Sequence, residues 1–553
     1  MPGEAVWFEQ GENDSVTVRV RSAKGRKLVL QGLPGDLNPS ATGDRQLVDN
    51  PAIVHNAWAF GGFHRQMDES ADDEVRTALQ KKASAHAKVA ERLAVLTDEL
   101  GETTIEGWCS NCYEKSVHRK VKSSSFRTET YLCQACGSAT DDCVAPQCKN
   151  MAVRSLAKVH VPDMCAEHDH TLPSFERARD SLERLEDLKE FLKFDKPNLA
   201  RGATFGMVAV LAAGVAFPLA LMAAPAMGGA VGVLASQWGA GTALTGAAAS
   251  NYGLAMLGGG AVATGGLGMA GGTMVIAGVG SALGGALGAS VTNAYVRDDK
   301  SFDLELFREG KGTPVIIARG FTTEGDIQWW KAVDLVEVTY PDSPIYFLHW
   351  GAKELHDVAV MFGAIGGGAM AKAAVAAAAK KAAKKAVTKL NPAAAALVVA
   401  DVLKNPWHVA RVRADKTGAV LADVIARYNG EVILVGHSLG GRVMATAAQA
   451  ASTSKAAGKI KEVRLAGAAI GRKFDWEAVG AAVDGPVINY HSKQDAVLKK
   501  AFTVAEMGSV AAGYAGTGSL VANVWDVDVS DRVPNHDMYW ESIAGVWESR
   551  LAH

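Results

Sequence analysis

The sequence predicts an α/β protein whose C-terminal half carries a mostly parallel sheet. A cysteine-rich, partly coiled-coil region and a hydrophobic Gly/Ala-rich helical segment precede it. Three observations lead there. After Arg297, short runs rich in β-branched residues alternate with helical stretches; all seven cysteines fall between Cys109 and Cys165; and Gly202–Val296 contains no Asp, Glu, Lys, Arg or His. With 553 residues the chain is long enough for several domains and a large core. Its 57 basic and 59 acidic side chains nearly cancel, so bulk charge gives no pull toward nucleic acid.

Residues 1–70 form a small β region: VTVRVRS from Val16 and KLVLQ from Lys27 alternate on either side of a Lys24-Gly25 turn, the pattern of a hairpin. The opening MPGEAVWFEQGENDSV has neither a basic n-region nor an apolar core, so the expectation is cytoplasmic synthesis without a signal peptide. Residues 71–200 read as two helical arms flanking a cysteine module at 109–168. In the first arm Leu79, Leu93 and Leu100 repeat on multiples of seven with Val89 and Leu96 beside them, and Gly101 stands where a helix ends. In the second, Ser174–Phe194, the residues Phe175, Leu182, Leu185, Leu188 and Leu192 share one side. The arms are expected to pair as antiparallel helices.

Cys109-x2-Cys112 and Cys133-x2-Cys136 are 20 residues apart, and Cys143-x4-Cys148 is followed by Cys165-x2-His168. In a chain without a signal peptide this spacing favours metal over disulfides. Eight ligands fill two closed tetrahedral zinc sites, which makes the zinc structural. His170 is an alternative to His168, and interleaved pairing stays open. HRKVKSSSFR from His118 is basic but offers no aromatic stacking platform, so the module is read as a protein-docking element rather than a nucleic-acid binder.

Residues 201–297 are expected to form a hydrophobic membrane segment. Ala203–Leu221 is long enough to cross ~30 Å of hydrocarbon, although Pro218 and Pro225 interrupt it, and Gly280, Gly284 and Gly288 form a small-xxx-small ladder. The same composition also suits a hydrophobic hairpin buried in the fold.

Residues 298–553 supply the strands TPVIIARG, SPIYFLHW, EVILVGH, KIKEVRLAG and GPVINYHS, each nearly continuous in apolar residues, as parallel strands covered on both faces are. Between the second and third lies a Lys/Ala-rich helical insertion, 358–400, without an acidic residue. It is either a solvated helix or a cationic one that meets anionic headgroups.

VILVGHSLGGRV holds Gly436-His437-Ser438-Leu439-Gly440, a G-x-S-x-G set between a strand and a helix-compatible run. A serine there sits on a strained turn that exposes its hydroxyl beside a helix N-terminus. It needs an imidazole base held by a carboxylate, in the chain order serine, acid, histidine. Asp495, after the GPVINYHS strand, is the chosen acid, with Asp526 and Asp528 as competitors in an extended edge segment. His536 is the base; His437, which flanks the nucleophile, and His491, which precedes the acid, are read as structural or as supporting the catalytic groups. The oxyanion donors are the backbone N–H groups of Leu439 and Phe321. Trp329, Trp330 and Trp350 either line an acyl pocket or belong to the core.

Residues 312–545 resemble the transmembrane and coiled-coil domain-containing α/β-hydrolases, a lipase-like family long catalogued as a domain of unknown function. The resemblance lies in VIIARGFTTEGDIQWW, IYFLHWGAKEL, LVGHSLGGRV, VINYHSKQDAVL and NVWDVDVSDRVPNHDMYW, together with the hydrophobic segment before them. It implies an α/β-hydrolase fold with Ser438, Asp495 and His536 as its triad, acting on lipid esters near a membrane. Asn535 stands where that family has glycine, and the cysteine module is not part of the common core. The resulting expectation is a membrane-associated lipase or phospholipase with two zinc ions, a lipid substrate and a protein partner at the zinc module. A bacterial antagonistic effector delivered to another cell would be one setting for it. The rivals are a membrane scaffold or trafficking protein with an inactive hydrolase fold and a soluble esterase.

Overall fold

The computed structural model describes residues 5–10, 15–33, 39–69, 73–122, 129–154, 164–199, 299–320, 326–351, 392–452, 456–503 and 508–547, with short pieces at 289–297 and at 506. They fall into two compact units. One holds the described residues up to Arg179 together with 193–199, and the other holds Asp180–Leu192 and the described residues from 289 onward.

The first unit opens with an antiparallel sheet in the order β1 (Val6–Gln10), β2 (Val16–Arg21), β3 (Lys27–Gly32), β4 (Ser40–Gly43). The expected hairpin is β2–β3, and Gly25 turns it at φ 84°. Asp98 clamps that turn: its carboxylate accepts Ser22 Oγ at 2.9 Å, Lys24 N at 2.7 Å and the Arg26 guanidinium at 2.5 Å. Alternation buries Val16, Val18 and Val20 against Ile53, Ala57 and Leu93 of two helices, Pro51–Glu69 and Asp73–Asp98. The heptad seam of the second helix therefore packs on the first helix and the sheet.

It does not pair with a second helical arm. Among the described residues Ser174–Phe194 contains short 3-10 turns at Arg177–Arg179 and Leu185–Asp187 and one four-residue helix, Leu188–Phe191. Leu182 N donates to Arg427 O at 2.8 Å and its carbonyl accepts Asn429 N at 3.0 Å. With those groups committed elsewhere, the i to i−4 ladder cannot propagate. A second antiparallel sheet, in the order β5 (Leu100–Trp108), β6 (Lys115–Val121), β7 (Tyr131–Cys133), β8 (Ala139–Asp142), β9 (Met151–Val153), carries the cysteines.

The second unit is built on a seven-stranded sheet. Its strands are β10 (Asp303–Arg308), β11 (Val315–Ala318), β12 (Ile345–His349), β13 (Val432–His437), β14 (Ile460–Ala466), β15 (Val487–His491) and β16 (Val524–Asp528), in the spatial order 10-12-11-13-14-15-16. Among the described residues only β10 runs antiparallel to its neighbour in this sheet. Every residue of β11, β13 and β15 is buried, which is why these strands read as unbroken apolar runs. The polar-alternating DLELFR of β10 has a half-exposed edge pattern instead.

After β11 the chain builds outward to β12 and then returns to the other side of β11 as β13. The C-terminal ends of β11 and β13 thus form a switch point, where open α/β sheets leave a crevice. Asp180–Leu192, grouped with the cysteine region in sequence, belongs to this unit. Leu182, Leu185, Leu188 and Phe191 are buried, Arg427 stacks on the Phe191 ring at 4.5 Å, and Tyr346 OH donates to Glu186 at 2.6 Å.

Of the Lys/Ala-rich insertion, residues 358–391 lie outside the described residues, and the helix Pro392–Arg427 follows. The uncharged stretch Gly202–Val296 lies almost entirely outside them. Among the described residues no helix is long and apolar enough to cross a membrane.

Candidate functional site

Ser438 lies between β13 and the helix Leu439–Ala451 with φ 57° and ψ −124°, a strained region for a residue bearing a Cβ. The glycines around it make the turn possible. A Cβ on Gly436 would stand 2.6 Å from Gly440 O, and one on Gly440 would stand 2.2 Å from Ala318 O. The helix behind the turn is anchored by Arg442, buried and paired twice with Asp415 at 2.7 and 3.1 Å; the Arg after the G-x-S-x-G motif was the available signal for it.

The structure brings Ser438, His536 and Asp495 into one line of hydrogen bonds. Ser438 Oγ is 2.8 Å from His536 Nε2, and His536 Nδ1 is 2.6 Å from Asp495 Oδ2. All three side chains are buried. A carboxylate only accepts, so Nδ1 carries the hydrogen and Nε2 is left to accept from the serine hydroxyl. Burial opposes charge on His536, but the Asp495 carboxylate and its hydrogen bond outweigh it and leave the imidazole pKa raised.

Asp495 is oriented by its own neighbours. Oδ1 accepts Leu498 N at 2.9 Å, and Tyr539 OH lies 3.4 Å from Oδ2 while donating to Gly513 O at 3.0 Å. Burial and the adjacent Asp495 push the Tyr539 phenol well above its ordinary value, so it stays a donor. Sequence reasoning passed over Tyr539; a Tyr three residues after the histidine was the only clue.

Asp526 and Asp528 serve elsewhere. Asp526 accepts Asn489 Nδ2, Thr517 N and Oγ1, and Gly518 N, pinning a loop, while Asp528 pairs with Lys493 at 3.1 Å and accepts Ser530 N at 3.0 Å. Asn535 has φ −158°, extended backbone that any residue adopts, and its side chain accepts Asp537 N, so glycine is not required before the histidine. His437 is buried against His536, and His491 is buried at the end of β15.

Leu439 N opens the helix, where backbone N–H groups have no intrahelical partner. Gly320 faces it across Ser438: a Cβ there would lie 2.4 Å from Ser438 Cβ, 2.7 Å from Oγ and 3.0 Å from Leu439 N. Phe321, the other expected donor, lies outside the described residues. Trp329 is a core residue, stacked on Phe347 at 4.2 Å with the Arg319 guanidinium 3.8 Å above its ring; Trp350 is buried and Trp330 is 54% exposed.

In the first unit the eight expected ligands fall into two groups, Cys109, Cys112, Cys133 and Cys136, and Cys143, Cys148, Cys165 and His168, each with its donor atoms within 4.8 Å of one another. The sulfur separations are 4.0 Å for Cys109–Cys136, 3.9 Å for Cys112–Cys133 and 3.8 Å for Cys148–Cys165. No disulfide has that length, whereas four thiolates ~2.3 Å from a tetrahedral ion stand about 3.8 Å apart. His168 Nδ1 lies 3.7 Å from Cys143 Sγ and 3.2 Å from Cys165 Sγ. His170 Nε2 instead contacts Lys196 O at 2.7 Å. Tyr113, Gln147 and His170 turn through positive φ beside the ligands. The neighbouring Cys109 and Cys112 thiols hold the Cys136 thiol below its ordinary value, while Cys109 is raised. Both groups could hold a metal ion.

A parallel α/β unit with a serine, histidine and aspartate aligned at the switch of its sheet, joined to a cysteine-rich module, defines the class of protein. The chain belongs to the family described as "Protein of unknown function (DUF726)", whose model matches residues 204–550. It is similar to "Transmembrane and coiled-coil domain-containing protein STS1" of Oryza sativa, 33% identical over 28% of this chain and 24% of that protein. An "Uncharacterized membrane protein C6F6.13c" of Schizosaccharomyces pombe is 27% identical over 40% of this chain and 39% of its own length. "Probable lipase MIL1" of Saccharomyces cerevisiae is 32% identical over 26% of this chain and 14% of its own. The chain thus spans well under half the length of each of these relatives.

Proposed function

We propose that this chain is a serine hydrolase of the α/β-hydrolase fold that cleaves carboxylic esters of lipids at a membrane surface. The observation that carries the reading is the line from Ser438 through His536 to Asp495 at a strained strand-to-helix turn. Support for a lipid ester comes from the distant relative named a probable lipase and from two relatives with transmembrane or membrane in their names.

In this reading Ser438 Oγ attacks the ester carbonyl as His536 Nε2 takes its proton. Asp495 holds Nδ1–H and stabilises the imidazolium. The oxyanion forms beside Leu439 N–H. Collapse expels the alcohol, which takes the proton from His536 and leaves an acyl group on Ser438. Water, giving a proton to His536, then releases the fatty acid and restores the hydroxyl.

The two cysteine groups are proposed to hold structural zinc: Cys109, Cys112, Cys133 and Cys136 in one site, and Cys143, Cys148, Cys165 and His168 in the other. Bound zinc would cross-link turns that lie far apart in the sequence. Four protein donors leave no position for substrate.

The test is fatty-acid release from mixed phospholipid vesicles by the full chain beside Ser438→Ala. Release by the parent alone supports a lipid-directed hydrolase. Equal release by both, or no labelling of Ser438 by a fluorophosphonate, overturns the reading.

A further inference from the structure

One hydrogen bond inside the site moves no proton in the reaction. His437, the residue before the nucleophile, is 2% exposed, and its Nε2 lies 3.0 Å from the main-chain oxygen of His536. A carbonyl only accepts, so Nε2 carries the hydrogen and donates it. The His437 ring stands 4.9 Å from the His536 ring, 5.8 Å from Tyr539 and 5.6 Å from Trp540. It therefore fills the space between the end of β13 and the turn His536–Met538. Burial, followed by the neighbouring His536 and by Arg319, pushes the His437 pKa down to about 3. The ring is a neutral donor, which matters because a second imidazolium would oppose the one that forms on His536.

We propose that His437 is a positioning residue: it ties the main chain of the base to the strand that carries the nucleophile and so sets the Ser438 Oγ to His536 Nε2 separation. The inference rests on the hydrolytic reading of Ser438, His536 and Asp495. Serine and base lie 98 residues apart in sequence and must hold a 2.8 Å contact. The loop before the base is tied toward β15 by Ser492 Oγ donating to Val533 O at 2.7 Å. His437 adds a tie to β13 at the base itself, one peptide away from the nucleophile. A displacement of ~1 Å between reacting groups lowers rates about 100-fold.

Three variants separate this tie from simple packing. His437→Phe keeps the ring and deletes the donor, His437→Asn places its amide near the Nδ1 position and falls short, and His437→Gln brings an amide nitrogen to the Nε2 position. They are compared with the parent in p-nitrophenyl butyrate kinetics and in the NMR resonance of His536 Nδ1–H, which the 2.6 Å bond to Asp495 holds downfield.

The Phe and Asn variants should lose about 10-fold or more in kcat with KM within about threefold, and should shift or broaden the resonance, while Gln should restore both. Parent kcat and an unmoved resonance in His437→Phe overturn the proposal. So does a Gln variant as impaired as Phe, which would assign His437 to packing. A parent that neither turns over the ester nor is labelled at Ser438 by a fluorophosphonate sinks the hydrolytic reading, while the resonances of the Phe and Gln variants still decide the positioning role.

Discussion

Replacing Gly320 with alanine probes the space beside the nucleophile. The added methyl would lie 2.4 Å from Ser438 Cβ and 2.7 Å from Oγ, against an optimum of ~3.5–4.0 Å for such contacts. About 1 Å of movement must be found, and Ser438 is boxed in by buried neighbours. Its N–H donates to Ala466 O at 3.1 Å, and its carbonyl accepts Ala469 N at 3.0 Å. Overpacking of this kind costs about 1–3 kcal/mol in stability. The methyl also occupies ground 3.0 Å from Leu439 N, where the oxyanion is proposed to form, and loss of one such donor lowers kcat ~100- to 1000-fold. Gly320→Ala should therefore lose far more activity than stability. Gly471→Ala is the control, because nothing lies within 4 Å of a Cβ there. Ester turnover, fluorophosphonate labelling and a guanidinium melt are measured on both. A Gly320→Ala protein with more than a third of parent kcat/KM, or no weaker than Gly471→Ala, would refute this account of the site.

Asp495→Asn should lower kcat by ~10,000-fold, because the imidazole is no longer held with Nε2 free to accept the serine proton. The parent's kcat/KM should rise with pH through a midpoint above the ordinary ~6.5 of histidine, since neutral His536 is the active form and its pKa is raised; a midpoint at or below 6.5 would contradict that pairing. The linkage has the matching sign: the stability His536 contributes is full below the unfolded value and is lost as pH rises through the raised one. Metal analysis should find two zinc equivalents per chain, with Cys112→Ala and Cys148→Ala each losing one, and a parent with one or fewer would remove the two-site assignment. Leu185→Ala should cost the C-terminal unit about 2–4 kcal/mol in a denaturant melt, and a change under about 0.5 kcal/mol would mean that the 180–192 strap is not docked as its burial indicates.

Five strands of the large sheet were legible because burial on both faces leaves an unbroken apolar run. The edge strand β10 was not, since one antiparallel partner and a half-exposed face give DLELFR no such signature. The heptad was read as a helix, which forms over Asp73–Asp98, but Leu100 and Gly101, taken as its last seam position and its end, open β5 instead, and its partner was not read. Periodicity reports that a face is apolar and leaves open what covers it. Ser174–Phe194 shows the converse, for its leucines have helical spacing while the main chain of Leu182 bonds to Arg427 and Asn429.

Within the candidate sites, the residue types and their order along the chain came from sequence, because a strained serine turn and closely spaced thiol pairs are local features. Local sequence alone determined that Ser438 needs glycine on both sides and that eight metal-type donors lie in one stretch. Sequence order favoured Asp495, and spacing set Cys109 and Cys112 with Cys133 and Cys136; tertiary structure decided between that reading and Asp526, Asp528 or an interleaved pairing. It also showed that Gly320 lies against the serine. Those pairings join residues from 24 to more than a hundred positions apart, and only the packing of strands and turns around each core brings them within a few ångströms.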